Sequence, residues 1–415
     1  MYDNIKPEIL KLAEETEASL KERFAQIDAV AAFNTAKVAE AYRELRLSDM
    51  HFAGTTGYGY DDAGRELLDG AFARVFGAES ALVRMGFVNG THAISAALFA
   101  ALSPGQALLS VTGAPYDTIR TAIGISGNAH GSLRFYGIGY EQLELTPGGD
   151  PDYDAIGKAA ADGKIGAVLI QRSRGYGDRR ALSVGEIGRI AELVHTVNPG
   201  AAVICDNCYG EFCDTREPTE VGADLMAGSL IKNPGGGLAP MGGYVAGRAD
   251  LVERAAARLT TPGIGGECGA TLGNSRALIQ GFIMAPHTVA QALKTACLCA
   301  GMLEALGYAT SPTALEPRSD IIQMVRLGSR ENLCRFCAGI QRGSPVDAYV
   351  TPEPWQMPGY DCEVIMAAGT FIQGSSIELS CDGPVKEPYL AYLQGGLTYE
   401  LGKYGIISAI NEMTV

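Results

Sequence analysis

Residues 201–237 read AAVICDNCYGEFCDTREPTEVGADLMAGSLIKNPGGG. Two apolar runs, AAVIC and LMAGSLI, stop at a polar residue, Asp206 in the first and Lys232 in the second, and a glycine-containing turn follows each. Short apolar runs closed by turn residues are the pattern of strands buried on both faces, as in a parallel sheet. Working outward, ALVRM, QALLSVT, KIGAVLIQ and GYVAG are further strand candidates, and GTHAISAALFAALS, DTIRTAIG and SVGEIGRIAELVHTV are helical stretches between them. This alternation, from about residue 60 to 285, predicts an α/β fold with a mainly parallel sheet covered by helices.

On either side the pattern changes. Between about 7 and 47, apolar residues such as Ile9, Leu10, Leu20 and Phe24 recur at helical spacing, which predicts an arm of one or two amphipathic helices. TVAQALKTACLCAGMLEALG reads as a long helix leaving the large domain, and the rest mixes strands, helices and Pro/Gly turns in an α+β pattern. The expected division is an arm over 1–59, a large domain over 60–290 and a small domain over 291–415, a size that suits two cores.

A net charge of -14 speaks against attraction to nucleic acid or an anionic membrane. No apolar run approaches the ~20 residues that span a bilayer. The start, MYDNIKPEIL, lacks the basic and apolar regions of a signal peptide, so a cytoplasmic protein is expected. There the ten cysteines are expected as small buried side chains rather than disulfides. Two CxxC pairs, Cys205/Cys208 and Cys334/Cys337, could in principle supply four thiolates to zinc. One pair closes a strand and the other sits in a helical pattern, so no metal site is expected.

Open α/β sheets bind ligands at the carboxyl ends of their strands, and three features fall there. Asn89, Gly90 and Thr91 open a helix, whose N–H groups and dipole suit a phosphate that glycine lets come close; an ordinary N-cap reads the same way. Asp206 ends a buried strand, where a carboxylate needs a cation; a protonated pyridine nitrogen is one, and an Asx-turn is the plainer alternative. Lys232, flanked by Leu230 and Ile231, suits an imine-forming amine of depressed pKa, or a solvated strand end. Ser229 stands three residues before it, within reach of the same phosphate. Ser229-x-x-Lys232 also matches a serine-acyltransferase pattern, but no Lys-Thr-Gly follows and the serine sits in a strand-like run. No GxSxG, GxxxxGK[ST] or HExxH motif is present.

In order, GTTGYGYDDAGRELLDGAFARVFGAESALVR, NGTHAIS, GAPYDTI, IQRSRGYGDR, CDNCYGEF, GSLIKNPGGGLAPMGGYVAG, GGECGATLGNSR, SPVDAYVTPEPWQMPGY and IMAAGTFIQGSSIELSCDGP cover the chain from about residue 50. They resemble the aluminium-resistance, or methionine gamma-lyase, branch of the Cys/Met-metabolism enzymes that use pyridoxal 5'-phosphate. The resemblance implies fold type I, with a seven-stranded large domain and a smaller α+β domain. It implies Lys232 as the Schiff-base lysine, Asp206 as the pyridine partner, and Gly90 and Thr91 as the phosphate cradle, with Asn89 standing there in place of a more usual Ser and Ser229 within reach. By the same resemblance Tyr116 matches the ring that stacks on the cofactor, and Lys232, Tyr116 and Asp206 are the expected catalytic set. Tyr58 and Tyr60 match a Tyr-x-Arg pair that reaches the neighbouring subunit's phosphate, which implies a homodimer or homotetramer with shared sites. The implied reaction is β- or γ-elimination from an amino acid at a carbon–sulfur or similar bond, with amino transfer as the alternative. Two departures stand out. The second residue of the Tyr-x-Arg pair is a phenol here, and a segment that is Arg-Leu-Ser in relatives is Glu378-Leu379-Ser380. A glutamate cannot hold a substrate carboxylate, so Arg318, Arg172 and Arg174 become the candidates.

Overall fold

The computed structural model describes residues 5–127, 130–356 and 362–414. The apolar runs form β1 (Ser80–Arg84), β2 (Ala107–Ser110), β4 (Ile165–Gln171), β5 (Ala202–Asp206), β6 (Leu225–Ser229) and β7 (Gly243–Gly247), and β3 (Gly139–Gln142) joins them at one edge. Their order is β1-β7-β6-β5-β4-β2-β3. Strands β2 to β6 run parallel, and β7 is antiparallel to both its neighbours. Side chains alternate across a strand, so a sheet covered on both faces needs apolar residues at every position. In β5, Val203 and Cys205 enter one core while Ala202 and Ile204 enter the other. Edge strand β3 is largely exposed and carries no apolar run, which is why its sequence gave no strand signal.

The second sheet contains β8 (Ala309–Ser311), β9 (Gln323–Arg326), β10 (Trp355–Gln356), β11 (Glu363–Ala367), β12 (Leu379–Pro384) and β13 (Leu390–Gly395), antiparallel throughout. Leu379, Cys381, Ala391 and Leu393 pack against Phe336, Ile340, Ile406 and Ile410 of the helices Arg330–Gly343 and Tyr399–Met413. Alternate residues look the other way: the Tyr392 hydroxyl donates to the Tyr176 carbonyl at 2.8 Å, joining the two sheets' territories.

The long helix, Ser275–Ala305, starts well before the expected TVAQ and runs through Pro286. Leu278 and Phe282 lie in the large-sheet core, whereas Leu298, Met302 and Leu303 lie in the small-sheet core. The 290/291 boundary therefore falls inside an element shared by both. The N-terminal helices are Pro7–Ser19 and Lys21–Glu44. The first inserts Ile9 and Ala13 into the small-sheet core, and the second ties to the large half through a Tyr42 hydroxyl bond to the Ile279 carbonyl at 2.7 Å. Cys205 belongs to the large-sheet core and Cys337 to the small-sheet core, so the two CxxC pairs stand in different cores.

Candidate active site

Strands β5 and β6 are parallel neighbours, with Asp206 opposite Ala227, so Asp206 and the chain leaving Ser229 emerge at one sheet edge. Asp206 is buried and its Oδ1 accepts the Cys208 N–H at 3.1 Å. Burial pushes its carboxyl above the usual range, and the Lys232 ammonium opposes that. Tyr209 then turns in the left-handed region, at φ 72°, a conformation costly for a bulky residue. That turn sets its ring against Lys232, whose Nζ lies 3.9 Å from the ring centroid. The depressed lysine pKa expected from the apolar flanks is not found. Burial does press the amine downward, but Cys208, Tyr209 and Asp206 outweigh it and the net direction is up. Cys208 is itself pushed well above its normal range by burial.

The residues expected around a phosphate reach the same place. Asn89 caps the helix Gly90–Ala101, its Oδ1 accepting the His92 N–H at 2.9 Å, so its side chain is spent on the helix. A Cβ on Gly90 would lie 3.1 Å from Ser229 Cβ and 3.4 Å from Cys208 Sγ, which shows the bare backbone facing both residues. The Thr91 and Thr118 hydroxyls are 2.7 Å apart. Tyr116 donates its N–H to Gln171 Oε1 at 2.7 Å, and Gln171 is the register partner of Asp206. Beside Tyr116 opens a cleft of about 860 Å³, with Tyr176, Arg174 and Arg179 among its walls. Lys232 and Asp206 do not line it; Asp206 ends the neighbouring strand opposite Gln171, and Lys232 follows β6, one strand further.

A loop of the small domain meets the lysine. Ser375 Oγ donates to the Ile231 carbonyl at 2.9 Å, and the Ser376 and Tyr209 hydroxyls are 3.2 Å apart. Buried Glu378 holds this loop by accepting the N–H groups of Phe371 at 2.7 Å and Ile372 at 3.0 Å. The glutamate at the departure from Arg-Leu-Ser thus serves as a clamp for the loop.

The three candidate arginines differ in placement. Arg172 is fully buried and directed at Asn207 Oδ1, 2.8 Å, and Glu217, 3.4 Å, which makes it an interior strut. Arg318 is buried against Cys297 Sγ, 3.2 Å, and Gln323 Oε1, 2.6 Å, away from the cleft walls. Arg174 does line the cleft. Tyr58 and Tyr60 are 73% and 54% exposed and stack on each other at 5.7 Å. Their loop is held to the segment before the long helix by the Gly269 N–H to Tyr58 O and Leu272 N–H to Thr55 O bonds, both 3.0 Å, and the chain does not bring them to its own lysine.

Glu211 backs the lysine turn, its carbonyl accepting Asn233 Nδ2 at 2.9 Å. Its carboxyl meets the Tyr244 hydroxyl at 2.8 Å, and burial pushes it up to about 8. An acid raised in the folded state contributes full stability below its ordinary value, and that contribution is lost as pH rises toward about 8. Glu211→Gln is expected to flatten this dependence and to be the more stable protein at pH 9, by on the order of a few kcal/mol. Denaturant titrations of both proteins at pH 5 and pH 9 check it; parallel curves would remove Glu211 from the account.

An amine and a buried acid at adjacent strand ends, with a glycine-opened helix facing Ser229, fit pyridoxal 5'-phosphate, and the chain is a pyridoxal-phosphate protein of fold type I. The profile of the methionine gamma-lyase family matches residues 9–414, and the chain belongs to that family. A solved structure from Clostridium novyi NT, described as a carbon-sulfur lyase involved in aluminum resistance, is 51% identical, with a TM-score of 0.95 over 98% of this chain and 96% of that one. The Bacillus subtilis protein YnbB, itself uncharacterised, is 49% identical over 97% of this chain and 96% of its own length. A methionine gamma lyase from Micromonospora echinospora, CalE6, shares the fold at 18% identity and a TM-score of 0.57, covering 87% of this chain and 93% of that one.

Proposed function

We propose that the protein is a carbon–sulfur lyase that removes a sulfur leaving group from Cβ or Cγ of an amino acid. The observation that carries this is the convergence of Lys232, Asp206 and the Gly90–Ser229 face, together with the described activity of the Clostridium novyi relative. Pyridoxal phosphate, when bound, supplies an electron sink conjugated to the substrate's amino group. Gly90, Thr91 and Ser229 would hold its phosphate, Tyr116 would stack on its ring, and Asp206 would keep its nitrogen protonated. One carboxylate cannot fully serve two cations. With Asp206 turned to the ring nitrogen it would hold the Lys232 ammonium less, and the burial that presses this amine downward would favour the neutral form needed of a base. Lys232 then takes the proton from Cα and returns one nearby as the C–S bond breaks, its electron pair leaving on sulfur. The loop 370–378, clamped by Glu378, is bonded to the Ile231 carbonyl next to this lysine.

The test is a screen of methionine, homocysteine, cystathionine and related thioethers for release of a 2-keto acid and ammonia. Keto-acid release from at least one is expected. Stoichiometric conversion of the cofactor to its amine form, with transfer to an added keto acid, would favour an aminotransferase. Asp206→Asn is expected to retain cofactor but lose roughly 100-fold or more in kcat, because a neutral amide no longer holds the ring proton. Near wild-type turnover in this variant would reduce Asp206 to a loop cap.

A further inference from the structure

Arg174 is 2% exposed, and its guanidinium makes one hydrogen bond, from Nη2 to Ser311 Oγ at 3.0 Å. Its Nε and Nη1 are buried without a partner. Arg179, on the same loop, donates to the main-chain carbonyls of Gln171 at 2.9 Å, Arg180 at 3.0 Å and Ser173, and to no carboxylate among the described residues. Both line the cleft beside Tyr116. The nearby acids have other partners: of those on the cleft wall, Asp117 pairs with Arg120 at 3.1 Å and Glu144 accepts from Gln142 Nε2. Asp320 accepts the N–H groups of Arg174, 3.3 Å, and Ile322, 3.1 Å; Asp178 pairs with Arg326 at 2.9 Å; Asp206 faces Lys232. Burial lowers both guanidiniums, Arg179 to about 10, and both stay charged at neutral pH. Buried Asp320 acts on both guanidiniums, but one carboxylate beside two buried cations leaves positive charge over, which is costly unless a ligand brings the missing charge.

We propose that Arg174 and Arg179 together seat the carboxylate of an α-amino acid substrate, so that a loop of the large domain does the work for which Glu378 is unsuited. Arg174 offers two unpaired donors that point nowhere else, and Arg179 adds charge one strand from Asp206. The ligand class is an amino acid with a free carboxylate, and amines without that group are excluded. This rests on the amino-acid reading above.

The test uses unreactive probes, so that binding is measured apart from lyase activity. L-Norleucine and pentylamine, its decarboxylated counterpart, are titrated into the holoenzyme by calorimetry, with the cofactor dissociation constant and circular dichroism measured alongside. The wild type is expected to prefer norleucine. Arg174→Gln and Arg179→Gln should each weaken norleucine by ~10- to 100-fold while pentylamine and cofactor affinities hold, with Arg179→Lys intermediate. Unchanged norleucine affinity in both glutamine variants overturns the clamp whatever reaction the enzyme performs. Loss of cofactor instead of norleucine affinity overturns it too, by assigning the arginines to the cofactor. A wild type blind to the carboxylate sinks both the clamp and the amino-acid reading.

Discussion

Lys232→Ala is expected to lower turnover by roughly 10⁴-fold or more while leaving the fold intact, because one amine performs both anchoring and proton transfer. The position tolerates the change. Lys232 follows β6, its Nζ rests on the face of Tyr209, and the turn after it is fixed by backbone geometry, not by the amine. A Cβ on Gly235 would lie 1.9 Å from the Leu230 carbonyl, which shows how closely that turn is folded on its own main chain. Removing the amine also leaves Asp206 with Arg179 but without Lys232, the larger of the two cations that oppose its burial, so the carboxyl of the apo variant should be still more easily protonated. The decisive measurement is chemical. Borohydride reduction of the wild-type holoenzyme should fix the cofactor to the peptide carrying Lys232, and the alanine variant should take no label. Label on another lysine, or turnover within tenfold of wild type, would falsify the assignment.

How much of this was legible beforehand follows from what each residue's signal is made of. Strands β4 to β6 announce themselves because burial on two faces forces an unbroken apolar run, and the polar residue that ends each run marks the sheet edge where ligands sit. Asp206 and Lys232 could therefore be placed together before any coordinates. Tyr209 could not, since its part depends on a left-handed backbone that a tyrosine rarely adopts and no propensity indicates. The arginines fail for a related reason. Arg172, Arg174 and Arg179 follow the end of β4, beyond which no strand alternation fixes direction, so the loop sends Arg172 to Glu217 and the other two to the cleft. Arg318 looked as good as Arg174 in sequence, yet its fate is set by Cys297 on a helix that serves both cores. Glu378 read as a lost carboxylate site, and its bonds to Phe371 and Ile372 show what replaced that role.

Mixing two inactive variants is expected to restore activity if, as we infer, each active site takes residues from two chains. Tyr58 and Tyr60 carry the argument. Two phenols more than half exposed, stacked on each other on a loop pinned to Gly269 and Leu272, gain little from their own chain. The loop itself is rigidly supported: Asp62 caps the next helix by accepting the Arg65 N–H at 3.0 Å and also accepts the Thr271 hydroxyl at 2.6 Å. Exposed rings on a braced loop are arranged to reach outward, and in a closed two-fold dimer each chain's loop would reach the other's phosphate site. Tyr58→Ala/Tyr60→Ala removes two largely exposed rings and the Tyr60 contact with Cys268, and leaves the core untouched, so it should fold normally and bind cofactor weakly. Lys232→Ala keeps the tyrosines and loses the amine. When subunits of the two exchange, half the dimers are mixed, and each mixed dimer has one site with both defects and one with neither. Activity should then rise from near zero to about a quarter of the wild-type value. Exchange is verified independently with differently tagged chains. If tagged hetero-oligomers form and activity stays at the level of the separate variants, the tyrosines do not cross to a neighbour; if the double tyrosine variant is fully active alone, they take no part in the site.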